Sequence, residues 1–393
     1  MTSNMIGTKE SILDHDPTMV QMLTPEGQRV DGGSYERYVA DLTDADLRGL
    51  YRDMALIRRV DAEGNALQRQ GQLGLWAPLL GQEAAQIGLG HAMRNQDFVF
   101  PTYREHGLAW CRGLRPETIF EMYRGQNHAG WDPQAYNFHT YTIVIGAQML
   151  QATGYAMGIS LDGDVGTGDP DRDAVAIACC GDGATSQGEV SEALNFASTF
   201  HAPTLFFIQN NQWAISEPNS VEMNAPLFTR GTGFGVPGTR VDGNDILAMY
   251  AVAKANLDDI RAGNGPRLLE AFTYRMGAHT TADDPTKYRS DALTESWAAK
   301  DPIVRFKTYL ETEAVHRSPA AAAELADFFA SVEREADALA AHIREAVMAM
   351  PKPPVSDIFD YVFEEPHPLI EEEKREYMAY LDGFAEDLEA DAR

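Results

Sequence analysis

The stretch "AVAIACCGDGATSQGEVSEALNFASTFHAPTLFFIQNNQW", residues 174–213, holds two short apolar runs with a helical pattern between them. The first run, Ala174 to Cys180, is continuous, as expected of a strand buried on both faces of a parallel sheet, and Gly181 ends it. Val190, Ala193, Leu194 and Ala197 then recur at the i, i+3, i+4, i+7 spacing of a helix. Pro203 introduces a second buried strand, "TLFFIQ", which stops at "NNQW". A strand–helix–strand crossover makes the two strands parallel, so both carboxyl ends lie at one edge of the sheet, where open sheets of this kind bind ligands. Asp182 and Asn211 therefore face one crevice.

That juxtaposition carries chemistry. One carboxylate, one amide oxygen and a backbone carbonyl just after it make a hard, incomplete oxygen shell, suited to Mg2+ that shares its other positions with phosphate oxygens. Gly183 lets a phosphate approach the backbone, and the helix that follows aims its amide groups and positive dipole end at the same anion. A lone Gly-Asp-Gly is more often only a tight turn; the Asn210-Asn211 half reverses that balance. The glycine pattern of dinucleotide folds does not fit, because Asp182 would meet a pyrophosphate with no metal between. "DGDVGTGDPDRD", 162–173, is glycine-rich but follows a helix and reads as an exposed connection.

Around this centre, 393 residues with 44% hydrophobic and 23% charged content can bury a large core. A formal net charge of -27 repels nucleic acid and anionic membranes, so neither is an expected partner. Cys111, Cys179 and Cys180 are too few and too poorly spaced for a disulfide framework or a zinc site. The N-terminus shows no basic segment followed by an apolar one, and no run approaches the ~20 apolar residues that span a bilayer, so a cytoplasmic protein is expected. Residues 1–40 read as an extended polar arm of the kind that lies on a partner subunit. Residues 41–350 read as one α/β domain, a mostly parallel sheet with helices on both faces. Its first helix is capped by Thr43 and stopped by Gly71, and the next begins near Gly81. Residues 319–350 are Ala- and Glu-rich and helical, and 351–393 form a "PKPPVS" linker and an acidic segment with a final helix.

The motif beginning Gly-Asp-Gly and closing on Asn-Asn resembles the thiamine-diphosphate motif. The chain from about residue 22 is similar to the alpha subunit of the decarboxylating component of 2-oxo acid dehydrogenase complexes. The similarity runs through "RQGQLGLWAPLLGQEAAQIG", "FPTYREHG", "IVIGAQMLQATG", "VDGNDILAMY", "TYRMGAHTTADDPTKYRS" and "WAAKDPIVRF". It implies the thiamine-diphosphate-binding fold, with Asp182, Asn211 and the Trp213 carbonyl as Mg2+ ligands. Tyr103 and Arg104 would hold the diphosphate, assisted by the Gly183 and Ala184 amides. Arginine suits that task as a permanently charged fork. Ile145, with Ile143 beside it, would wedge beneath the cofactor and bend it, and Gln148 would help shape a loop for a monovalent ion such as K+. His279 would orient the bound intermediate and assist acyl transfer to a lipoyl group, within a loop where Arg275, Asp283, Tyr288 and Arg289 also match. His128 is kept as a site candidate and His139 as structural, because "GQNHAGWDPQAYNFHTYT" departs from the family's glycine- and basic-rich stretch.

Further departures are Gln209, where some branched-chain relatives carry an arginine, Ala278 before His279, and Thr280 at the position of a phosphorylated serine in animal relatives. No kinase is inferred from Thr280 or Thr281. Activating thiamine requires a carboxylic acid that no glutamate of this chain supplies in a recognisable motif. The resemblance assigns that acid to a beta subunit, in an alpha2beta2 assembly that acylates a lipoyl-bearing acyltransferase. "RQGQLGLWAPLLGQEAAQ" and "WAAKDPIVRF" look most like pyruvate enzymes, whereas "NNQWAIS" and the spacing from His279 to Tyr288 resemble branched-chain ones; pyruvate is narrowly preferred to 3-methyl-2-oxobutanoate as the 2-oxo acid. A single-chain enzyme of the transketolase or acetolactate synthase kind would need a longer polypeptide. A cofactor-free scaffold is opposed by intact Asp182, Asn211, Arg104 and His279.

Overall fold

Among the described residues seven strands form: β1 (Phe98–Phe100), β2 (Ala176–Gly181), β3 (Thr204–Asn210), β4 (Trp213–Ala214), β5 (Glu217–Pro218), β6 (Gly238–Asp242) and β7 (Arg267–Phe272). The structure, a computed structural model, describes residues 18–126 and 130–384. Five strands make one parallel sheet in the order β1-β2-β3-β7-β6, while β4 and β5 form a small antiparallel ribbon. Gly181 pairs with Gln209 and Asn210 with Phe272. Asp182, Asn211 and the segment after β7 therefore leave the sheet at the same edge.

The helices that position this edge are α1 (Asp44–Arg69), α2 (Glu83–Ala92), α3 (Ala147–Asp162), α4 (Gly188–Thr199), α5 (Ile246–Arg261), α6 (Pro302–Arg317) and α7 (Pro319–Ala349). Ala176, Ala178 and Cys180 of β2 and Phe206 and Ile208 of β3 share a core with Met149 and Ala152 of α3 and Val190 and Leu194 of α4. Their alternate neighbours Ile177, Cys179, Leu205 and Phe207 are equally buried on the opposite face, where α2 and α5 pack. Burial on both faces is why these strands read as unbroken apolar runs. The α2–α5 contact is close: a Cβ on Gly88 would lie 2.6 Å from the Met249 Cβ. At the start of α1, Thr43 and Asp46 form a reciprocal capping box, and Gly71 takes a left-handed φ of 73° past its end.

The described part of the N-terminal segment is not a free arm. Val20 bridges Val241 in parallel beside β6, and Met22 and Leu23 are fully buried. Their backbone N–H groups donate to Asp245 Oδ2 at 2.7 and 2.6 Å, while Asp245 Oδ1 caps α5 through the Leu247 and Ala248 amides. Arg305 of α6, also buried, donates to Asp242 Oδ2 at 2.8 Å and to the Leu23 carbonyl. The partners lie more than 200 residues away in sequence, so the local polarity of 18–40 carries no sign of the burial of Met22 and Leu23.

Two compact units are distinguished, Met1–Met348 and Ala349–Arg393. Within the second, α8 (Pro368–Asp382) meets the short helix Asp357–Asp360 through Lys374 and Asp360, and through the Tyr377 and Phe359 rings at 5.9 Å. Among the described residues, no helix is long and apolar enough to cross a membrane.

Candidate active site

At the end of β2 the backbone enters a 3-10 turn, Gly183–Ser186, and α4 begins only at Gly188. The expected direct aim of a helix N-terminus from Asp182 is thus interrupted by a tighter turn. The turn is held by the Asp182 carbonyl, which accepts from the Thr185 N–H at 3.0 Å and from its hydroxyl at 2.6 Å. Gly183 is required by packing: a Cβ there would stand 2.6 Å from the Ala214 Cβ of β4. The ribbon β4–β5 is consequently pressed against the turn. Asp182 is only 2% exposed, and its Oδ2 has no hydrogen-bond partner among the described residues. Burial, and next the charge of Glu222, push its carboxyl up to about 7.

Across the crevice Asn211 is buried, with Nδ2 donating to Gln82 Oε1 at 3.1 Å and Oδ1 accepting the Trp213 N–H at 3.3 Å. The Trp213 carbonyl accepts from Arg275 Nη1 at 3.0 Å and keeps one lone pair. Gln209 lies in a buried network: it accepts from Gln86 at 2.9 Å and donates to Glu105 at 2.6 Å, and Glu105 accepts from Thr102 at 2.6 Å. Gln86 also donates to the Arg104 carbonyl at 3.0 Å, which fixes the backbone from which that guanidinium projects. Except for Gln86, which stands behind the wall, these groups line a cavity of about 240 Å³ together with Tyr103, Ile145, Gly183, Ala184, Arg275 and His279.

His279 sits between two guanidinium groups. Arg104 Nη2 and Arg275 Nη1 each stand 3.3 Å from its Nδ1, and Arg104 Nη2 also donates to the His279 carbonyl at 2.8 Å. Arginine can only donate, so Nδ1 is the acceptor and the ring proton is assigned to Nε2, 3.5 Å from the Tyr103 hydroxyl. Burial, then Arg104 and Arg275, hold the imidazole down to about 3, so it is neutral at working pH. Burial and the neighbouring Arg104 likewise pull Arg275 down to about 10.

Other expected site residues are dispersed. Tyr288 does not line the cavity; its hydroxyl donates to Asp283 and accepts from Arg275 Nη2 at 3.2 Å, which steadies that arginine. Arg289 braces the loop by donating to the carbonyls of Arg275, Met276 and Gly277. Ile143 is 65% exposed and outside the cavity wall, where Thr142 and Ile145 stand instead. Gln148, in contrast, lines the cavity, but from the first turn of α3 rather than from a loop, and its Nε2 donates to the Cys179 carbonyl at 2.7 Å. Thr281 is buried, with its hydroxyl accepting the Trp76 N–H at 3.0 Å, whereas the Thr280 hydroxyl accepts from Ala282 N–H at 3.3 Å. His139 stacks on Phe100 with ring centroids 5.3 Å apart. His128 lies outside the described residues.

Residues 51–345 match the family described as "Dehydrogenase E1 component". The chain belongs to this E1 family. It is 40% identical over 375 residues to the 3-methyl-2-oxobutanoate dehydrogenase subunit alpha of Mycobacterium tuberculosis, covering 94% of this chain and 96% of the relative. It is 38% identical over 357 residues to the pyruvate dehydrogenase E1 component subunit alpha of Acholeplasma laidlawii, covering 88% and 97%. The corresponding alpha subunit of Staphylococcus epidermidis is 40% identical over 297 residues, covering 75% and 77%. The E1 chain is therefore an alpha subunit of the 2-oxo acid dehydrogenases, of pyruvate or branched-chain type, and the parallel α/β sheet is the architecture expected of it.

Membership of the E1 family implies thiamine diphosphate. The residues present fit that group. Asp182 Oδ2 is a buried carboxylate oxygen with no protein partner, the donor a cation requires, and Arg275 Nε is a buried N–H without an acceptor among the described residues. Gln82, Glu105 and Thr102 are cavity residues that the motif reading of this E1 chain passed over. Their signal in the sequence is weak: "LLGQEAAQIG" sets polar Gln82, Glu83 and Gln86 in an apolar stretch, and all three are fully buried.

Proposed function

We propose that this chain is the cofactor-holding half of an alpha2beta2 enzyme that decarboxylates a 2-oxo acid and passes the acyl group to a lipoyl domain. Asp182, Asn211 and the Trp213 carbonyl would hold Mg2+, while Tyr103, Arg104 and the Gly183 and Ala184 amides would hold the diphosphate. When bound, thiamine diphosphate supplies the nucleophilic carbon and the electron sink for loss of carbon dioxide. The residues of this chain bind, orient and exclude water. Arg104 and Arg275 bring two fixed positive charges to the cavity and keep His279 neutral, so that Nε2–H is a donor to a substrate or lipoyl oxygen or sulfur. Ile145 at the cavity wall supplies the apolar support expected beneath the cofactor.

The single observation that carries this reading is a buried, unpartnered Asp182 oxygen in the same 240 Å³ cavity as Arg104, Arg275 and His279. Pyruvate is the first substrate proposed, on the sequence blocks that match pyruvate-type alpha chains. The branched-chain acid is the second, favoured by identity to the mycobacterial alpha subunit across 94% of this chain. The beta subunit contributes the acid that activates the cofactor, and the assembly works in the cytoplasm. The test is co-expression with the beta chain, followed by calorimetric titration with Mg2+ and thiamine diphosphate and by carbon dioxide release from pyruvate and from 3-methyl-2-oxobutanoate. Binding and turnover by the pair, with no turnover by this chain alone, are the expected results. Turnover by the isolated chain, or no binding by the pair, would overturn the reading.

A further inference from the structure

Gln82 stands immediately before α2 and is fully buried. Its amide has one accepting and one donating side, and the two sides have different surroundings. Oε1 accepts from Asn211 Nδ2 at 3.1 Å, whereas Nε2, in the cavity wall, has no hydrogen-bond partner among the described residues.

The two amides form a directed chain that begins at a group with no freedom to turn. The Trp213 backbone N–H can only donate, and it faces Asn211 Oδ1 at 3.3 Å. That contact decides which side of the Asn211 amide is oxygen. Asn211 Nδ2 is thereby directed at Gln82, where only an oxygen can receive it. Reversing either amide alone would set two donors or two acceptors against each other. Reversing both would set Asn211 Nδ2 against the Trp213 N–H.

The geometry points to Gln82 as a positioning residue that locks the Asn211 amide, so that Oδ1 rather than Nδ2 is offered to a cation between Asn211 and Asp182. This rests on the Mg2+ and diphosphate reading above. The long Trp213 contact leaves Oδ1 lone-pair capacity, and the Trp213 and Gln82 contacts together, one fixing the oxygen side and the other engaging the NH2 side, keep the amide from presenting its NH2 group to a cation. A glutamine that served only to fill space would not need an oxygen at that position.

The experiment compares Gln82→Met, close in shape but without an acceptor, and Gln82→Glu, which keeps an oxygen facing Asn211. Both are made in the co-expressed alpha–beta assembly. Mg2+ binding is titrated calorimetrically at saturating thiamine diphosphate, and unfolding midpoints are recorded without cofactor. Loss of one orienting hydrogen bond should weaken Mg2+ about five- to tenfold in Gln82→Met, with Gln82→Glu restored to within about threefold of wild type. Wild-type affinity in Gln82→Met, or equal loss in both variants, would overturn the inference. So would a loss that tracked a lowered midpoint in the cofactor-free protein. Absence of binding by the wild-type assembly would instead remove the functional reading, and this inference with it.

Discussion

Replacing Asp182 by asparagine should stabilise the cofactor-free protein while abolishing its response to metal. The carboxyl is displaced from 3.8 to about 7 by burial and by Glu222, and at 2% exposure solvent screens little of this effect. Keeping it charged in the fold therefore costs on the order of 4 kcal/mol above about pH 8. The folded value lies above the unfolded one, so the penalty is absent below about pH 4, grows as pH rises and is complete above about 7. Asparagine removes the charge but leaves an amide short of partners, which returns about 1–3 kcal/mol of the gain. Urea unfolding of wild-type and Asp182→Asn assemblies in EDTA should thus differ by an amount that rises by about 3 kcal/mol in favour of the variant between about pH 4.5 and 8. Adding Mg2+ with thiamine diphosphate should raise the wild-type midpoint and leave that of the variant where it was. A difference independent of pH, or a variant less stable than wild type at about pH 8, would refute the assignment of a buried, unpaired charge.

Three further outcomes are expected. Because burial and two guanidinium groups hold His279 down to about 3, below its ordinary value, its neutral form prevails and any stability cost appears only as pH falls below about 6.5. His279→Asn should therefore reduce lipoyl acylation without moving the acidic limb of the kcat/KM profile, and loss of that limb would show a titrating histidine. Gly183→Ala forces a Cβ to within 2.6 Å of Ala214, so the β4–β5 ribbon must shift. Calorimetry should show thiamine diphosphate bound about tenfold more weakly, an effect of ~1–2 kcal/mol from overpacking, and unchanged affinity would contradict the close approach. Arg305→Met leaves Asp242 and Asp245 buried without their cation and frees the Leu23 carbonyl. A loss of about 3–5 kcal/mol in urea unfolding is expected, with earlier proteolysis near residue 20, and a neutral result would mean the N-terminal segment is not held there.

Much of the site's frame was legible because its halves are local patterns. A strand, a glycine turn and a helix lie within 174–199, and the crossover rule alone brings Asp182 and Asn211 to one edge. The match of "FPTYREHG" and "TYRMGAHTTADDPTKYRS" with family blocks directed attention to Arg104 and His279, which the fold sets together in the cavity wall. Tyr288 and Arg289 matched equally well, yet they brace the loop rather than line the cavity. A motif marks which residues a loop keeps, not which way each side chain turns.

By itself, the sequence determined the strand and helix periods, the parallel connection between β2 and β3, and the residue types that can meet a cation and a diphosphate. These are consequences of short-range backbone geometry and of side-chain chemistry. Only the tertiary structure decided that Val20 pairs beside β6 and that Met22 and Leu23 are buried against Asp245 and Arg305, that His279 is neutral between two arginines, and that Gln82 faces Asn211. Each of those depends on desolvation and on hydrogen bonds between residues roughly 130 to 280 positions apart, or on charges converging from separate loops. No local window of sequence contains that information.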